Sequence, residues 1–210
     1  MQSVIDGILA PFTRFEDTLP PDVSPEETGA AFAAVAERFK AAAQSSERPV
    51  LINISGLPGA GKTFIARRLL QQKPNWVYIS FDELMEALPA YRAEAAVNPE
   101  TAFRRWEIPA RFAGYSLLKE CVERRLSILF EHSNANSAHL DLYRKIMTKG
   151  YEVEIRFIDA PPELVLPRVA ARPRFFPPEG VTERWKLLRC LLPEYQKTVT
   201  RFSILGAWKK

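Results

Sequence analysis

The stretch VLINISGLPGAGKT at residues 50–63 decides the fold of this chain. The apolar run Val50–Ser55 predicts a short buried strand, and Lys62–Gln72 predicts the helix that follows it. Between them, Gly56–Thr63 fits the spacing G-x-x-x-x-G-K-[ST] in full. Because the motif stands directly between a strand and a helix, it indicates a phosphate-binding loop, or P-loop, rather than an ordinary glycine-rich turn.

The chemistry of phosphate binding explains the residue types in this loop. Glycines let the loop curl so that successive backbone N–H groups face a phosphate, and the helix N-terminus adds partial positive charge. Lys62 can reach the β- and γ-phosphates, and the Thr63 hydroxyl can ligate Mg²⁺. We therefore predict that a nucleotide phosphate is bound by Gly56, Leu57, Pro58, Gly59, Ala60, Gly61, Lys62 and Thr63.

Short apolar runs alternate with helical patterns along the rest of the chain. Further strands are predicted at residues 76–80, 126–130, 153–158 and 202–205, and helices at residues 82–88, from 98 onward, 138–149, 163–171 and 181–198. This alternation is typical of an α/β fold, here a P-loop NTPase- or kinase-like parallel sheet flanked by helices. Pro89 is predicted to stop the helix before it, and Pro109 to kink or break the long one.

The part of the chain before the first strand has a different character. Residues 1–48 are predicted to form an N-terminal helical extension, and residues 49–210 the P-loop kinase domain. Ser24 is predicted to cap a helix of this extension. Phe32 and Val35 fall on one face of that helix, and we expect this face to pack on the main domain.

Composition excludes several classes of function. The chain has 210 residues, a formal net charge of +4 and 47% apolar residues, which is typical of a globular protein. No apolar run approaches the ~20 residues that a membrane span needs. The basic residues are scattered among carboxylates, which favours an anionic small-molecule site over nucleic acid. Cys121 and Cys190 lack metal-ligand spacing and are predicted to be reduced, partly buried thiols of a cytoplasmic protein.

Two carboxylates are placed where a parallel sheet binds its ligands. Asp82 and Glu131 come just after predicted strands, and ligands bind beyond the carboxyl ends of such strands. Asp82 could accept a proton from a substrate hydroxyl, or it could simply cap the helix that begins there. Glu131 could contact substrate hydroxyls or hold Mg²⁺ through water. Asp159, at the end of another strand, is more simply a cap or turn residue.

Basic and aromatic residues late in the chain allow two interpretations. Arg168, Arg172 and Arg174 form a cluster whose guanidinium groups suit the charge that develops in phosphoryl transfer, so they are predicted to close over the nucleotide. The alternative is a solvated basic helix end. His132 and His139 have no metal spacing and are predicted to be structural.

From about residue 50 onward the chain resembles the zeta toxin family of small P-loop kinases. The resemblance is carried by the P-loop, by Asp82-Glu83-Leu84 with Pro89-Ala90-Tyr91, by Leu129-Phe130-Glu131, by Lys149–Val153 and by Arg174-Phe175-Phe176-Pro177. Two positions depart from the family pattern. Met85 stands where many members have Arg, and His132-Ser133-Asn134 replaces the usual Gly-Thr after the glutamate.

The resemblance implies a kinase that uses ATP or GTP with Mg²⁺ to phosphorylate a hydroxylated metabolite, such as UDP-N-acetylglucosamine. Asp82 matches the family's base and Lys62 its phosphate lysine, while Arg172 and Arg174 match its charge-stabilising arginines. Glu131, Tyr91 and Arg168 are the implied substrate-binding residues. The best-known members are held inactive by an antitoxin, so an antitoxin protein is a candidate partner. Neither nucleic acid nor membrane is expected as a partner.

Two other functions remain open at this level. The chain also resembles chloramphenicol phosphotransferase, an antibiotic kinase, in placing Asp82 before Glu86-Ala87-Leu88-Pro89, although that family's loop usually ends in Ser rather than Thr63. The second alternative is a nucleotide-binding interaction module with little turnover. ATP turnover with and without an acceptor separates these hypotheses.

Overall fold

In the computed structural model, which describes residues 1–206, a parallel sheet of five strands forms the centre of the molecule. The strands are β1 (Val50–Ser55), β2 (Val77–Ser80), β3 (Ile128–Glu131), β4 (Glu152–Asp159) and β5 (Arg201–Gly206). Their order in the sheet is β2-β3-β1-β4-β5, and every neighbouring pair is parallel. The predicted α/β fold with a parallel sheet is confirmed.

Helices cover both faces of this sheet. Their bounds are α1 (Gln2–Leu9), α2 (Pro25–Lys40), α3 (Lys62–Gln72), α4 (Phe81–Glu86), α5 (Pro89–Val97), α6 (Pro99–Glu123), α7 (Ala138–Met147), α8 (Pro162–Ala170) and α9 (Pro178–Thr198), with a short 3-10 helix at Glu16–Thr18. Residues of β1, β2 and β3 alternate between two buried apolar clusters, one on each face. A strand buried on both faces reads as a continuous apolar run, which is why Val50–Ser55 could be recognised.

Two proline predictions were only partly right. Pro89 follows the end of α4 as expected, but it is also the first residue of α5, where its fixed φ suits the helix and its missing N–H is not needed. Pro109 lies inside α6, which continues without a break to Glu123. Pro109 is buried, and its ring removes one backbone hydrogen bond of the helix without ending it.

The N-terminal helices share the core of the sheet. The Ser24 hydroxyl accepts a hydrogen bond from the backbone of Glu27 and caps α2, as predicted. Phe32 and Val35 of α2 and Ile5 of α1 are buried in the same cluster as the inner residues of β1–β3. The predicted apolar face of α2 therefore packs on the main body.

Two global features complete the description of residues 1–206. None of the helices in this range is long and apolar enough to cross a membrane. Both cysteines are free: Cys121 is buried, but Cys190 is exposed, so the prediction of two partly buried thiols was wrong for Cys190. It lies on the outer side of α9, away from the core.

Candidate active site

The P-loop is built by backbone geometry between β1 and α3. Gly56, Gly59 and Gly61 have φ values of 138°, 84° and 98°, which side-chain-bearing residues rarely adopt. A Cβ at Gly59 would also stand 3.0 Å from the carbonyl oxygen of Val165 and 3.1 Å from a methyl group of Val169. The loop thus turns tightly against α8, and the first turn of α3 opens toward the cleft described below.

Lys62 and Thr63 place their side chains at the base of this cleft. The Lys62 ammonium donates a hydrogen bond to the carbonyl oxygen of Leu57, within the loop, at 3.0 Å. Burial lowers the pKa of Lys62, while the charges of Glu131 and Asp82 act to raise it. The Lys62 ammonium is therefore poorly solvated. A phosphate anion bound beside it would offset the free-energy cost of burying its charge.

Glu131 closes the floor of the cleft at the end of β3. It is only 8% exposed, and Thr63 donates a hydrogen bond to its Oε1 at 3.0 Å. The hydroxyl of Tyr78, on the neighbouring strand, donates to its Oε2. Because its carboxylate accepts this bond from Thr63, Glu131 lies at the P-loop end of the cleft. A contact with substrate hydroxyls stays a prediction.

Asp82 lies in the first turn of α4, facing Arg174. The two side chains form an ion pair at 2.6 Å, and Arg174 also pairs with Glu86 at 2.9 Å. Of the two roles left open for Asp82, the helix cap is not observed: the Ser80 hydroxyl accepts the capping hydrogen bond from the backbone of Glu83. Asp82 is thus free of a capping role, and 45% of its side chain is exposed to the cleft.

The cluster of arginines divides into two positions. Arg172 and Arg174, in the segment between α8 and α9, line the cleft. Burial, followed by the charge of Arg174, lowers the pKa of Arg172, whereas the carboxylates of Asp82 and Glu86 help to raise that of Arg174. Both arginines therefore line the same cleft as Lys62 and Thr63, whereas their closing over a nucleotide stays a prediction.

Arg168 and Tyr91 do not line the same cleft. Arg168 is on α8 behind the P-loop, and its guanidinium lies 3.5 Å from the carbonyl oxygen of Gly59. Tyr91, on α5, is 4% exposed and belongs to the apolar core. Burial is the main cause that raises the pKa of Tyr91. Direct substrate contacts by these two residues stay predictions.

The far end of the cleft consists of residues that sequence reasoning missed. Phe103, Glu107 and Arg111 stand four residues apart on one face of α6, and Phe176 and Arg184 face them from the segment before α9 and from α9 itself. Glu107 lies 3.8 Å from Arg111 and 4.0 Å from Arg184, so two cations share one carboxylate over long distances. The i, i+4, i+8 spacing places the three side chains on one face of α6, but their mixed character gave no signal in the sequence.

His132 also lines the cleft, although both histidines were predicted to be structural. His139 is fully buried, and the hydroxyl of Tyr115 lies 2.8 Å from its Nε2. The two imidazoles stack with centroids 4.3 Å apart. Burial, together with the charges of His139 and Arg111, lowers the pKa of His132 well below its ordinary value, so this imidazole is neutral near pH 7.

Comparisons with known proteins identify the family of the chain and its fold. The family model described as zeta toxin matches residues 33–199, well over half of the chain. No curated protein matches the chain significantly by sequence.

Solved structures show the same fold at low identity. A protein of the PezAT chromosomal toxin-antitoxin system of Streptococcus pneumoniae superposes with a TM-score of 0.69 at 22% identity, over 88% of this chain and 79% of that one. The AvrRxo1-ORF1:AvrRxo1-ORF2 complex with ATP gives a TM-score of 0.65 at 17% identity, over 92% and 67% of the two chains. The Pnkp1/Rnl/Hen1 RNA repair complex gives 0.52 at 17% identity, over 72% and 47%.

Proposed function

Because the chain belongs to the zeta toxin family, we propose that it is a kinase that transfers the γ-phosphate of ATP or GTP to a hydroxyl group of a small metabolite. A single observation supports this proposal most strongly. Asp82, Arg172 and Arg174 line the same cleft as Lys62 and Thr63, although they come from distant parts of the chain. A P-loop alone would serve many reactions, but a carboxylate and two arginines opposite it suit transfer of a phosphoryl group.

The phosphate end of the reaction is served by the loop and its neighbours. The backbone N–H groups of the loop and Lys62 bind the nucleotide phosphates. Thr63 and Glu131 present oxygen atoms 3.0 Å apart, the kind of ligand that Mg²⁺ takes, and these two residues would hold the ion. When bound, Mg²⁺ neutralises charge on the β- and γ-phosphates.

The acceptor end is served by Asp82 and the arginines. Asp82 accepts the proton of the attacking hydroxyl. Arg172 and Arg174 place guanidinium groups beside the oxygens on which negative charge increases during transfer. The ion pair with Arg174 holds the Asp82 carboxylate in place in the cleft until substrates enter.

The acceptor and the protein partner are narrower parts of the same proposal. Arg111 and Arg184 share one carboxylate, so the far end of the cleft retains positive charge, which suits an acceptor that carries a phosphate, as UDP-N-acetylglucosamine does.

One structural neighbour is described as part of a toxin-antitoxin system. On this likeness we propose an antitoxin as the partner of this chain, and the cytoplasm as the place where both would act.

The proposal is tested by following labelled phosphate. The protein is incubated with γ-labelled ATP or GTP, Mg²⁺ and one of three acceptors: UDP-N-acetylglucosamine, chloramphenicol, or the small-molecule fraction of a cell extract. Mass spectrometry then looks for a product that has gained one phosphate. We expect transfer in the first or third mixture and none in the presence of EDTA, with recovery on adding Mg²⁺.

Other outcomes assign the alternatives. Transfer to chloramphenicol alone would favour the antibiotic kinase. Nucleotide binding without transfer in any mixture, by a protein whose melting temperature rises with ADP, would favour the interaction module and reject the kinase.

A further inference from the structure

His132 follows Glu131 at the end of β3 and has one ring nitrogen with a fixed role. The backbone N–H of Asn134 donates to His132 Nδ1 at 3.0 Å. Since a backbone N–H can only donate, Nδ1 must be the unprotonated nitrogen, and the neutral ring carries its proton on Nε2. The longer approach of Nδ1 to Asn134 Oδ1, 3.4 Å, does not alter this, because that oxygen accepts from Tyr143 at 2.8 Å.

Aromatic neighbours hold the ring of His132 in one orientation. It stacks on His139 at 4.3 Å and lies almost parallel to Phe130, with centroids 5.4 Å apart and an interplanar angle of 9°. Phe81 meets it edge-on at 5.6 Å. A ring packed in this way cannot turn to seek a partner, so the direction of its Nε2–H is set by the protein.

Nε2 faces the cleft. Among residues 1–206, the hydrogen bonds of the His132 ring are made at Nδ1. Within the same residues, the side-chain polar atoms that are buried without a partner lie on Glu94, Arg105 and Trp106. Nε2 is therefore accessible, and the accessible surface next to His132 is the cleft that it lines.

We propose that His132 is a specificity-determining residue, whose Nε2–H donates a hydrogen bond to an uncharged oxygen, a hydroxyl or a carbonyl, of the acceptor. This inference rests on the proposed kinase function and narrows its substrate class. The Nε2–H group of His132 carries no charge, so it suits an uncharged oxygen of the acceptor. Arg111 and Arg184 then bind the anionic part of that acceptor. An acceptor without such an oxygen leaves the donor unpaired and is disfavoured.

Two substitutions separate this role from a purely structural one. In His132→Asn, the amide oxygen stands near the place of Nδ1, so the bond from Asn134 is kept and the donor to the cleft is lost. In His132→Gln, the amide nitrogen reaches the place of Nε2, so the donor is kept and the bond from Asn134 is lost. Both side chains remove the aromatic ring equally, which makes each the control of the other.

The test measures phosphate transfer from γ-labelled ATP to the small-molecule fraction of a cell extract, over a dilution series of that fraction. At low acceptor concentration the rate is proportional to kcat/KM for the acceptor. Under this condition His132→Asn should be about three- to ten-fold slower than wild type, and His132→Gln should be close to wild type. The reverse order, equal loss in both variants, or no loss in either would overturn the inference. The affinity for ADP should be the same in all three proteins, and the melting temperature should fall by a similar amount in the two variants, since both lose the packed ring.

A spectroscopic measurement tests the same inference without activity. The chain has two histidines. His139 lies with Nδ1 toward the Asn136 carbonyl and Nε2 at the Tyr115 hydroxyl, so it should carry its proton on Nδ1, opposite to His132. Long-range ¹H–¹⁵N spectra of ¹⁵N-histidine protein should show one of each tautomer, assigned with the His132→Gln variant. A proton on Nδ1 of His132 would overturn the inference even in an active kinase. An inactive wild type with the expected tautomers would instead reject the kinase function and, with it, the acceptor role.

Discussion

The two ends of the cleft are constructed in different ways. At the phosphate end, eight consecutive residues, Gly56–Thr63, set the geometry through their own backbone. At the acceptor end, α4, α6, the loop after β3, α9 and the segment before α9 each contribute side chains. The phosphate end therefore depends mainly on an intact loop. The acceptor end depends on how several helices and loops pack together.

The strongest challenge to the phosphate end is Lys62→Ala. Phosphate transfer should fall by about 10³-fold, because removal of one preorganised charged donor typically costs 10²–10³-fold and Lys62 also serves binding. The free energy of unfolding should hardly change, since the ammonium donates to a single loop carbonyl. Initial rates and urea unfolding check both statements.

The control for Lys62→Ala is Arg68→Ala, which removes an exposed cation from the same helix. A Lys62→Ala protein with the rate of the control would mean that the loop does not position the transferred phosphate.

The acceptor end is challenged by Asp82→Asn. If Asp82 is the base, the rate at saturating substrates should fall at least ~100-fold, while ADP affinity stays near that of wild type. Its matched control is Glu86→Gln, which removes the other carboxylate partner of Arg174. Should both variants lose the same small factor, Asp82 would only hold Arg174 in place, and Glu131→Gln would be the next variant to measure.

Gly59→Ala tests whether the backbone geometry of the P-loop determines phosphate binding. The new Cβ would require a φ near +84° and would stand 3.0 Å from the Val165 carbonyl oxygen. We expect ADP affinity to fall about ten-fold and the free energy of unfolding to fall by about 1–2 kcal/mol. Calorimetric titration and chemical unfolding measure the two quantities.

The matched control for Gly59→Ala is Gly29→Ala. Gly29 lies inside α2, where a Cβ would approach Phe15 no closer than 3.8 Å. That change should stabilise the protein by about 0.5–1 kcal/mol. Equal effects of the two alanines on stability and on ADP affinity would contradict the backbone explanation.

The smallest effect is expected outside both ends of the cleft. Ser24→Ala removes the cap of α2 and should lower the free energy of unfolding by about 1 kcal/mol with no change in transfer rate. Ser24→Asp, which can still cap, should restore stability. A change in kcat in either variant would show that the N-terminal helices influence the cleft directly.

The same contrast explains what the sequence could predict. The predicted bounds of the strand and the helix within residues 50–72 agree with β1 and α3, because each element depends on neighbours along the chain. Asp82 and Arg174 could be named as candidates from their positions after a strand and in a basic cluster. Their pairing could not, since it joins side chains 92 positions apart in the chain.

The remaining errors have the same origin. The role of Ser80 as the cap of α4 was missed because Asp82 is an equally good capping residue type, and only the observed start of the helix decides between them. The cleft face of α6 was missed because Phe103, Glu107 and Arg111 mix apolar, acidic and basic character, which no amphipathic pattern singles out. His132 differs from His139 only in tertiary position.

The contact between α1 and α7 has a consequence for synthesis on the ribosome. Ile5, Ile8 and Leu9 of α1 are buried, and α7, one of the helices that cover them, begins at Ala138. At translation rates of roughly 5–20 residues per second, the apolar face of α1 waits on the order of ten seconds or more for this partner. During that interval the apolar residues of this segment are not yet covered by α7. Such a segment is a natural point for a chaperone to engage this protein before its sheet is complete.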